Sequence, residues 1–306
     1  MKTSPNPLSY SGWPHCLRLS NDEIELVATL DVGPRIIRFG FIGGPNEFVE
    51  YPEQQGVIER STYRSYGGHR LWVAPETPGW TNHPDNNPVE WQRDGDTVVL
   101  RPPVEAGTHL QKELRVRIDH NRNNVHITHQ ITNRHSSPQT LAPWAISVMA
   151  PGGYAILPHE PFQSHADRVL PVRPLVLWGY TQMNDPRWIW GSRFIRLRQD
   201  PTATTPQKIG ARVTSGWMAY ANGDRLFVKK FGHDPNLIYP DFGCNAEIFT
   251  NPRMLEVESL GALRSLAPGE SVTHEEDWYL FRGFNVGETE QDISSAIATP
   301  LKVIGL

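Results

Sequence analysis

The chain has 306 residues, of which 38% are hydrophobic, and a formal net charge of -4 at pH 7. This composition supports a buried core, and so small a charge gives no continuous basic field for nucleic acid or an anionic membrane surface. The sequence contains neither an apolar run of about 18 residues nor a secretory h-region, so we expect a cytoplasmic protein without a membrane partner.

Short β-branched or aromatic runs, separated by proline and glycine turns, follow one another along most of the chain. In chain order the predicted strands are 25–30, 36–42, 96–103, 109–119, 124–133, 193–199, 217–223, 225–231, 246–251, 254–263 and 274–283. The turn-like links VEAG and HNRN indicate an antiparallel meander through the strands between 96 and 133. One short helix is predicted near 291–303, and Pro300 is expected to interrupt it.

Several of these strands alternate between buried-type and polar residues. In 124–133, Val125 and Ile127 share one face, while His126 and Thr128 share the other. So many half-buried strands exceed what one flat sheet tolerates, so we predict an all-β fold with two packed antiparallel sheets in a large β-sandwich.

The segment YRSYGGHRLWVAPE (63–76) contains the first candidate site residues. In a strand, Arg70 and Trp72 share one face and His69 and Leu71 share the other. An aromatic plane beside a bidentate donor suits a sugar, which stacks through its C–H face and needs fixed partners for its hydroxyls. The preceding glycines let the backbone turn tightly or approach a ligand closely. The alternative is a strand that enters the core through Trp72, with Arg70 paired to a surface acid.

A second segment, 245–281, contains two glutamates at alternate positions of one predicted strand. Glu256 and Glu258 share a face, and Leu255 and Val257 share the opposite, apolar face. Carboxylates at i and i+2 lie about 6–7 Å apart along a strand, and their repulsion raises the pKa of one of them. A carboxyl group of this kind suits general acid–base chemistry near neutral pH. The alternative is a solvated face with two exposed acids.

Two further candidates are less specific. Trp144 follows a proline in the run 140–154, which otherwise suits the interior, and His83 lies in a polar loop. The two cysteines, Cys16 and Cys244, are far apart and outside any CxxC pattern, so we expect both to be reduced and buried. The histidines show no paired ligand spacing, and we expect no metal and no cofactor.

Three stretches carry a resemblance to the aldose 1-epimerase, or galactose mutarotase-like, superfamily and to a bacterial branch of it. They are GGHRLWVAPE (67–76), APWAISVMAPGG (142–153) and LEVESLGALRSLAPGES (255–271), and the likeness extends over roughly residues 24–281. The resemblance implies a β-supersandwich that binds sugar on a concave sheet, with Glu256 as general base. The acid histidine of the superfamily is expected within the second stretch, where this sequence has none, so His69 or His83 becomes the candidate acid.

We therefore expect one galactose mutarotase-like domain over 1–306, with a core at about 20–285 and a C-terminal extension at 286–306. The favoured function is an epimerase-like enzyme with catalytic residues Glu256 and His69, acting on a small sugar or oligosaccharide. The expected substrate-binding residues are Arg70, Trp72, Glu76, His83, Trp144, Glu247 and Glu258. A carbohydrate-binding or sensing protein that lost the acid, and a polysaccharide lyase, are alternatives. The sugar and the oligomeric state are left open.

Overall fold

Two antiparallel sheets contain almost all of the regular structure in the computed structural model, which describes residues 5–284, 287 and 289–306. The strands are β1 (Asn6–Tyr10), β2 (Trp13–Ser20), β3 (Ile24–Thr29), β4 (Arg35–Phe41), β5 (Gly68–Ala74), β6 (Glu90–Asp94), β7 (Thr97–Arg101), β8 (Leu110–Ile118), β9 (Asn124–Asn133), β10 (Gln139–Val148), β11 (Tyr154–Pro158), β12 (Leu175–Leu177), β13 (Trp188–Trp190), β14 (Phe194–Arg198), β15 (Gln207–Ala211), β16 (Trp217–Asn222), β17 (Arg225–Phe231), β18 (Ala246–Asn251), β19 (Met254–Leu260), β20 (Arg264–Leu266) and β21 (Ser271–Phe281). The helical segments are a single turn, α1 (Pro240–Gly243), and α2 (Glu290–Val303).

The strand order explains how distant parts of the sequence become neighbours. The larger sheet runs β1-β2-β3-β4-β5-β10-β19-β18-β15-β12, and β20 pairs with β10 as its eleventh strand. The smaller sheet has ten strands in the order β13-β14-β11-β16-β17-β21-β9-β8-β7-β6. The all-β sandwich is thus confirmed, and the predicted meander is present as the paired strands β7, β8 and β9.

The core lies between the inner faces of the two sheets, where alternate side chains of each strand meet. At its centre Phe39 and Phe48 pack against Phe227 and Trp278, with ring centroids 5.4 to 6.2 Å apart. These rings are tilted or edge-on, which is the arrangement that aromatic quadrupoles favour. The aromatic cluster holds the two sheets together beneath the outer face that carries the candidate site.

The N-terminal segment belongs to the larger sheet, because β1 pairs with β2 and β2 pairs with β3. Regular structure therefore begins before the core boundary expected at about residue 20. Cys16 lies in β2, and both Cys16 and Cys244 are free and buried, as predicted.

The C-terminal helix α2 packs on the outer face of the smaller sheet, where Ile293 and Ile297 join a cluster with Trp217. The prediction that Pro300 interrupts this helix was wrong, since α2 continues to Val303. The proline lies near the C-terminal end, where its missing N–H removes only one helical hydrogen bond. Neither α1 nor α2, the helices of the described residues, has the length and apolar composition of a membrane-spanning helix.

Candidate functional site

The strand order brings the two candidate segments side by side. β5, from the GGHRLW segment, and β19, from the LEVES segment, flank β10 in the larger sheet. Arg70 and Glu258 both lie opposite Ile146, one on each side, and Trp72 lies opposite Trp144. These side chains project from the outer face of the larger sheet, so the alternation predicted from the sequence is confirmed for both strands.

A cleft of about 230 Å³ lies on this outer face. Its principal side chains are Tyr63, Arg70, Trp72, Trp144, Lys208 and Glu256. Aromatic walls with a few converging charged groups are typical of small-molecule sites. Larger surface depressions exist elsewhere, among them one of about 590 Å³ beside Phe162 and Trp217. The charged side chains that line that depression are not buried, whereas Arg70, Lys208 and Glu256 are.

Arg70 is fixed on one side of the cleft by aromatic contacts. Its guanidinium carbon lies 3.9 Å from the Trp72 ring centroid and 5.3 Å from that of Tyr63. Its Nη1 donates a hydrogen bond of 2.5 Å to the Tyr63 hydroxyl. The Trp72 ring in turn meets Trp144 edge-on at 5.5 Å. The guanidinium is therefore held in place before any ligand arrives.

Glu256 presents a carboxyl group with an unusual pKa to this cleft. Burial raises the pKa of Glu256 to about 7, and the nearby charge of Glu258 adds to this effect, while Arg70 and Lys208 oppose it. Arg70 Nη2 is 3.8 Å from Glu256 Oε1, which makes a long ion pair without a hydrogen bond. A carboxyl group with this pKa can accept and return a proton near neutral pH.

A buried ion cluster forms the opposite side of the cleft. Lys208 Nζ lies 2.7 Å from Glu247 Oε2 and 3.1 Å from Glu258 Oε2, and Trp144 Nε1 donates to the same Glu258 oxygen at 2.8 Å. Lys208 Nζ also lies 4.4 Å from the Trp144 ring centroid and 4.7 Å from that of Trp178. Burial lowers the pKa of Lys208, but the charges of the two glutamates outweigh burial, so the net shift is upward. Burial raises the pKa of Glu247 well above its usual range.

Several buried polar atoms around the cleft have no hydrogen-bond partner among the described residues. They are Arg70 Nε, Trp72 Nε1, Glu256 Oε1 and Glu258 Oε1. Such atoms are uncommon in folded proteins, because each loses its hydration without compensation. Their concentration around one cleft indicates a surface suited to a polar ligand.

The structure separates the two candidate histidines from this cleft. His69 projects from the inner face of β5 and is fully buried between the sheets, and burial lowers its pKa well below the usual value. Its position follows from alternation, since the neighbouring Arg70 occupies the outer face. The His83 ring packs against Gly107, where an added Cβ would approach it within 2.6 Å. Of the other expected residues, Glu76 lines the cleft, and Glu247 contributes through Lys208.

His69 belongs instead to an interior polar network. Its Nε2 lies 2.7 Å from His129 Nε2, and its Nδ1 lies 2.9 Å from Ser147 Oγ. His129 Nδ1 lies 3.1 Å from the backbone carbonyl of His274, which can only accept, so this nitrogen donates. The Glu276 carboxylate in this network is paired with Lys229 at 2.9 Å. His69, His129 and Glu276 place one potential metal-ligating atom each within 4.8 Å of one another, yet Lys229 already supplies a cation there.

Lys208 was the main site residue that the sequence analysis missed. Its strand, QKIGA, is short and has no alternation that separates an inner from an outer face. Tyr63 and Tyr180 also line the cleft, from loops whose paths the sequence pattern does not determine. A lysine enclosed in an apolar strand is the one signal that could have drawn attention to Lys208, because buried lysines are rare unless paired.

No protein-family profile and no curated protein matches the chain. Solved structures do match. A galactose mutarotase-like protein from Lactobacillus casei has a TM-score of 0.56 at 10% identity, over 87% of this chain and 100% of that chain. A candidate aldose 1-epimerase from Klebsiella pneumoniae has a TM-score of 0.55 at 13% identity, over 95% and 84%. Another from Escherichia coli has a TM-score of 0.51 at 14% identity, over 87% and 99%. The chain therefore has the galactose mutarotase-like fold.

Proposed function

We propose that this protein binds a small sugar in the outer-face cleft and interconverts its anomers, in the manner of an aldose 1-epimerase. The observation that carries the proposal is the buried carboxyl group of Glu256, which lines the cleft and has a pKa of about 7. Indole rings at Trp72 and Trp144 offer apolar surface to the C–H face of a sugar. The unpaired polar atoms around them match a ligand that is rich in hydroxyl groups.

Glu256 acts as the general base in this proposal. Its carboxylate removes the proton from the anomeric hydroxyl, and the electrons of that O–H bond form the carbonyl as the ring C–O bond breaks. A base with a pKa near the working pH combines a useful ionised fraction with the ability to return the proton when the ring recloses. Arg70 lies 3.8 Å from the same carboxyl group and stabilises its ionised form.

Sugar binding without turnover is the second candidate. It is favoured by the absence of any histidine among the described residues that line the cleft. A pure binding site needs the aromatic walls and the unpaired polar atoms, but it does not need a proton acceptor. The two candidates therefore differ in how they depend on the charge of Glu256.

The deciding experiment measures anomer exchange by NMR across a panel of aldoses, after thermal-shift screening has ranked the ligands. Ligands that bind only the native state raise the melting temperature by mass action, so weak binders register at high concentration. Glu256→Gln should lower the exchange rate about 100-fold or more, as expected for loss of a general base. Glu275→Gln is the matched control, because Glu275 is exposed on β21 of the other sheet.

The epimerase hypothesis is supported if the wild-type protein and Glu275→Gln exchange anomers and Glu256→Gln does not. If the wild-type protein binds sugar without exchanging anomers, and Glu256→Gln binds it with the same affinity, the protein is a sugar-binding protein and not an epimerase. No thermal shift and no exchange across the panel would contradict both candidates.

A further inference from the structure

Opening a sugar ring requires two proton transfers, one away from the anomeric hydroxyl and one to the ring oxygen. Glu256 accounts for the first, so the second needs a donor that reaches the same cleft. Among the described residues that line it, the side chains with N–H or O–H groups are Tyr63, Arg70, Trp72, Trp144, Tyr180, Lys208 and Asn251. Indole, amide and guanidinium groups do not give up a proton in proteins, so the two tyrosines and Lys208 remain.

The two tyrosines are less suitable than Lys208. Tyr63 lies on the Glu256 side of the cleft, where its hydroxyl receives the hydrogen bond from Arg70. Tyr180 is 38% exposed, so water competes for its hydroxyl. Lys208 is buried and comes from the opposite side of the cleft, where its ammonium group is shielded from that competition.

Sheet register places Lys208 across the cleft from the base. Lys208 lies opposite Phe249 on β18, and Phe249 lies opposite Glu256 on β19. Two strand spacings separate the Cα atoms of Lys208 and Glu256 by about 10 Å. A sugar ring lying over Phe249 therefore has a carboxyl group on one side and an ammonium group on the other.

The Lys208 ammonium group also has more N–H donors than carboxylate partners. It carries three N–H groups, and the described residues offer two carboxylate partners, Glu247 and Glu258. The rings of Trp144 and Trp178 flank the remaining direction and hold the charge by cation–π attraction. One N–H is thus available to an oxygen atom of a ligand.

We propose that Lys208 is the catalytic residue that donates the proton to the ring oxygen, and this inference rests on the proposed function. Glu256 takes the proton from O1, the C1–O1 double bond forms, and the bond between C1 and the ring oxygen breaks with its electron pair on that oxygen. The ring oxygen takes a proton from Lys208, which becomes an amine. After rotation about C1–C2 the steps reverse, so both side chains regain their starting protonation.

Two buried glutamates, Glu247 and Glu258, position the proton donor. Glu247 Oε2 lies 2.7 Å and Glu258 Oε2 lies 3.1 Å from Lys208 Nζ. The ion cluster therefore holds the ammonium group in place on the side of the cleft opposite Glu256.

The test measures kcat, KM and sugar affinity for the aldose that the wild-type protein turns over. Lys208→Arg keeps the positive charge between the glutamates, and Lys208→Met removes it. Both should lower kcat about 100-fold or more, because the donor is lost in each. The affinity measured by titration should change by less than about 5-fold in Lys208→Arg, since ground-state contacts remain.

Lys112→Met is the matched control, because it also removes a buried lysine, which pairs with Glu105 at 2.7 Å on the other sheet. It should leave kcat unchanged. Melting temperatures of all variants show that any loss occurs in folded protein, and Lys208→Arg preserves the test if Lys208→Met does not fold. If the wild-type protein turns over a sugar and the kcat of Lys208→Arg stays within about 3-fold of the wild-type kcat, Lys208 is not the proton donor. The proposed function would then still stand. No turnover by the wild-type protein would overturn both.

Discussion

Arg70 and Glu256 face each other within the outer-face cleft, with Nη2 and Oε1 3.8 Å apart and both side chains almost fully buried. The contact is close enough to favour the carboxylate but too long for a hydrogen bond. Burial and the charge of Glu258 therefore prevail, and the pKa of Glu256 rises to about 7. This balance makes the ionisation of Glu256 sensitive to any change at Arg70.

The first prediction concerns the pH dependence of that carboxyl group. A general base works only when ionised, so kcat/KM should rise as the pH increases through about 7 and then level off. Arg70→Met removes a cation that lowers the pKa, so the midpoint should move upward by about one unit or more. NMR titration of 13C-labelled glutamate side chains measures the same midpoint without a sugar. Arg117→Met, on exposed surface of β8, should leave it unchanged, and an unshifted midpoint in Arg70→Met would contradict the assignment.

The second prediction concerns the hydrogen bond between Trp144 Nε1 and the buried Glu258 carboxylate, which is 2.8 Å long. Trp144→Phe removes this donor, and the free energy of unfolding should fall by about 1–3 kcal/mol beyond the loss of ring packing. Trp72→Phe is the matched control, because Trp72 lies directly opposite Trp144 but its Nε1 has no hydrogen-bond partner in the described part of the chain. Urea denaturation of both variants isolates the hydrogen bond. Equal losses in the two variants would show that the bond contributes nothing.

The third prediction concerns His129 in the interior network. Burial lowers the pKa of His129 to about 4, so between about pH 6.5 and 4 the unfolded chain binds a proton that the folded chain excludes. His129 alone should therefore lower the free energy of unfolding by about 2 kcal/mol between pH 7.5 and 5. Glu256 acts in the opposite direction, because its raised pKa makes the folded protein bind the extra proton as the pH falls.

Two histidine variants separate these contributions by urea denaturation at pH 7.5 and 5. His129→Gln should reduce the loss of stability on acidification. His126→Gln should increase it, because Asp277 raises the pKa of His126 and the folded protein gains stability there as the histidine protonates. The two residues lie three positions apart on β9 and on opposite faces. The same response in both variants would refute the assignment of the acid sensitivity to buried His129.

Alternation along the strands predicted a large part of the site. It placed Arg70 with Trp72 and Glu256 with Glu258, because a period of two fixes which side chains share a face. It equally placed His69 on the face opposite Arg70, which in the structure is the buried inner face and not the cleft. Alternation alone does not reveal that both faces of a strand are buried, which is the case for β5 and β19.

The remainder of the site depends on strand order and loop paths. Lys208 reaches the cleft only because β15 pairs with β18, and nothing in the local pattern of QKIGA specifies that partner. Tyr63 and Tyr180 come from connecting segments, whose conformation is set by the elements on which they pack. The sequence thus predicted that Glu256 shares a face with Glu258 and Arg70 with Trp72, but it did not predict the lysine on the opposite side of the cleft.

The last prediction concerns Gly68, at the start of β5. The sequence allowed either a tight turn or a close approach to a ligand at the paired glycines. The structure shows a close approach to backbone, since a Cβ at Gly68 would lie 2.4 Å from the Ile36 carbonyl oxygen and its φ is +72°. Gly68→Ala should lower the free energy of unfolding by about 3 kcal/mol or more, through the left-handed backbone together with this overlap.

Gly79 provides the matched control, because it has a φ of +77° and a Cβ at this position would meet no described atom within 4 Å. Gly79→Ala therefore reports the backbone cost alone, which should be about 1–2 kcal/mol. The difference between the two variants in urea denaturation measures the steric overlap with β4. If both variants lose the same stability, the overlap is relieved by a shift of β4 or β5. Such a shift would carry Arg70 with it, so sugar affinity in Gly68→Ala should then fall although no residue of the cleft has changed.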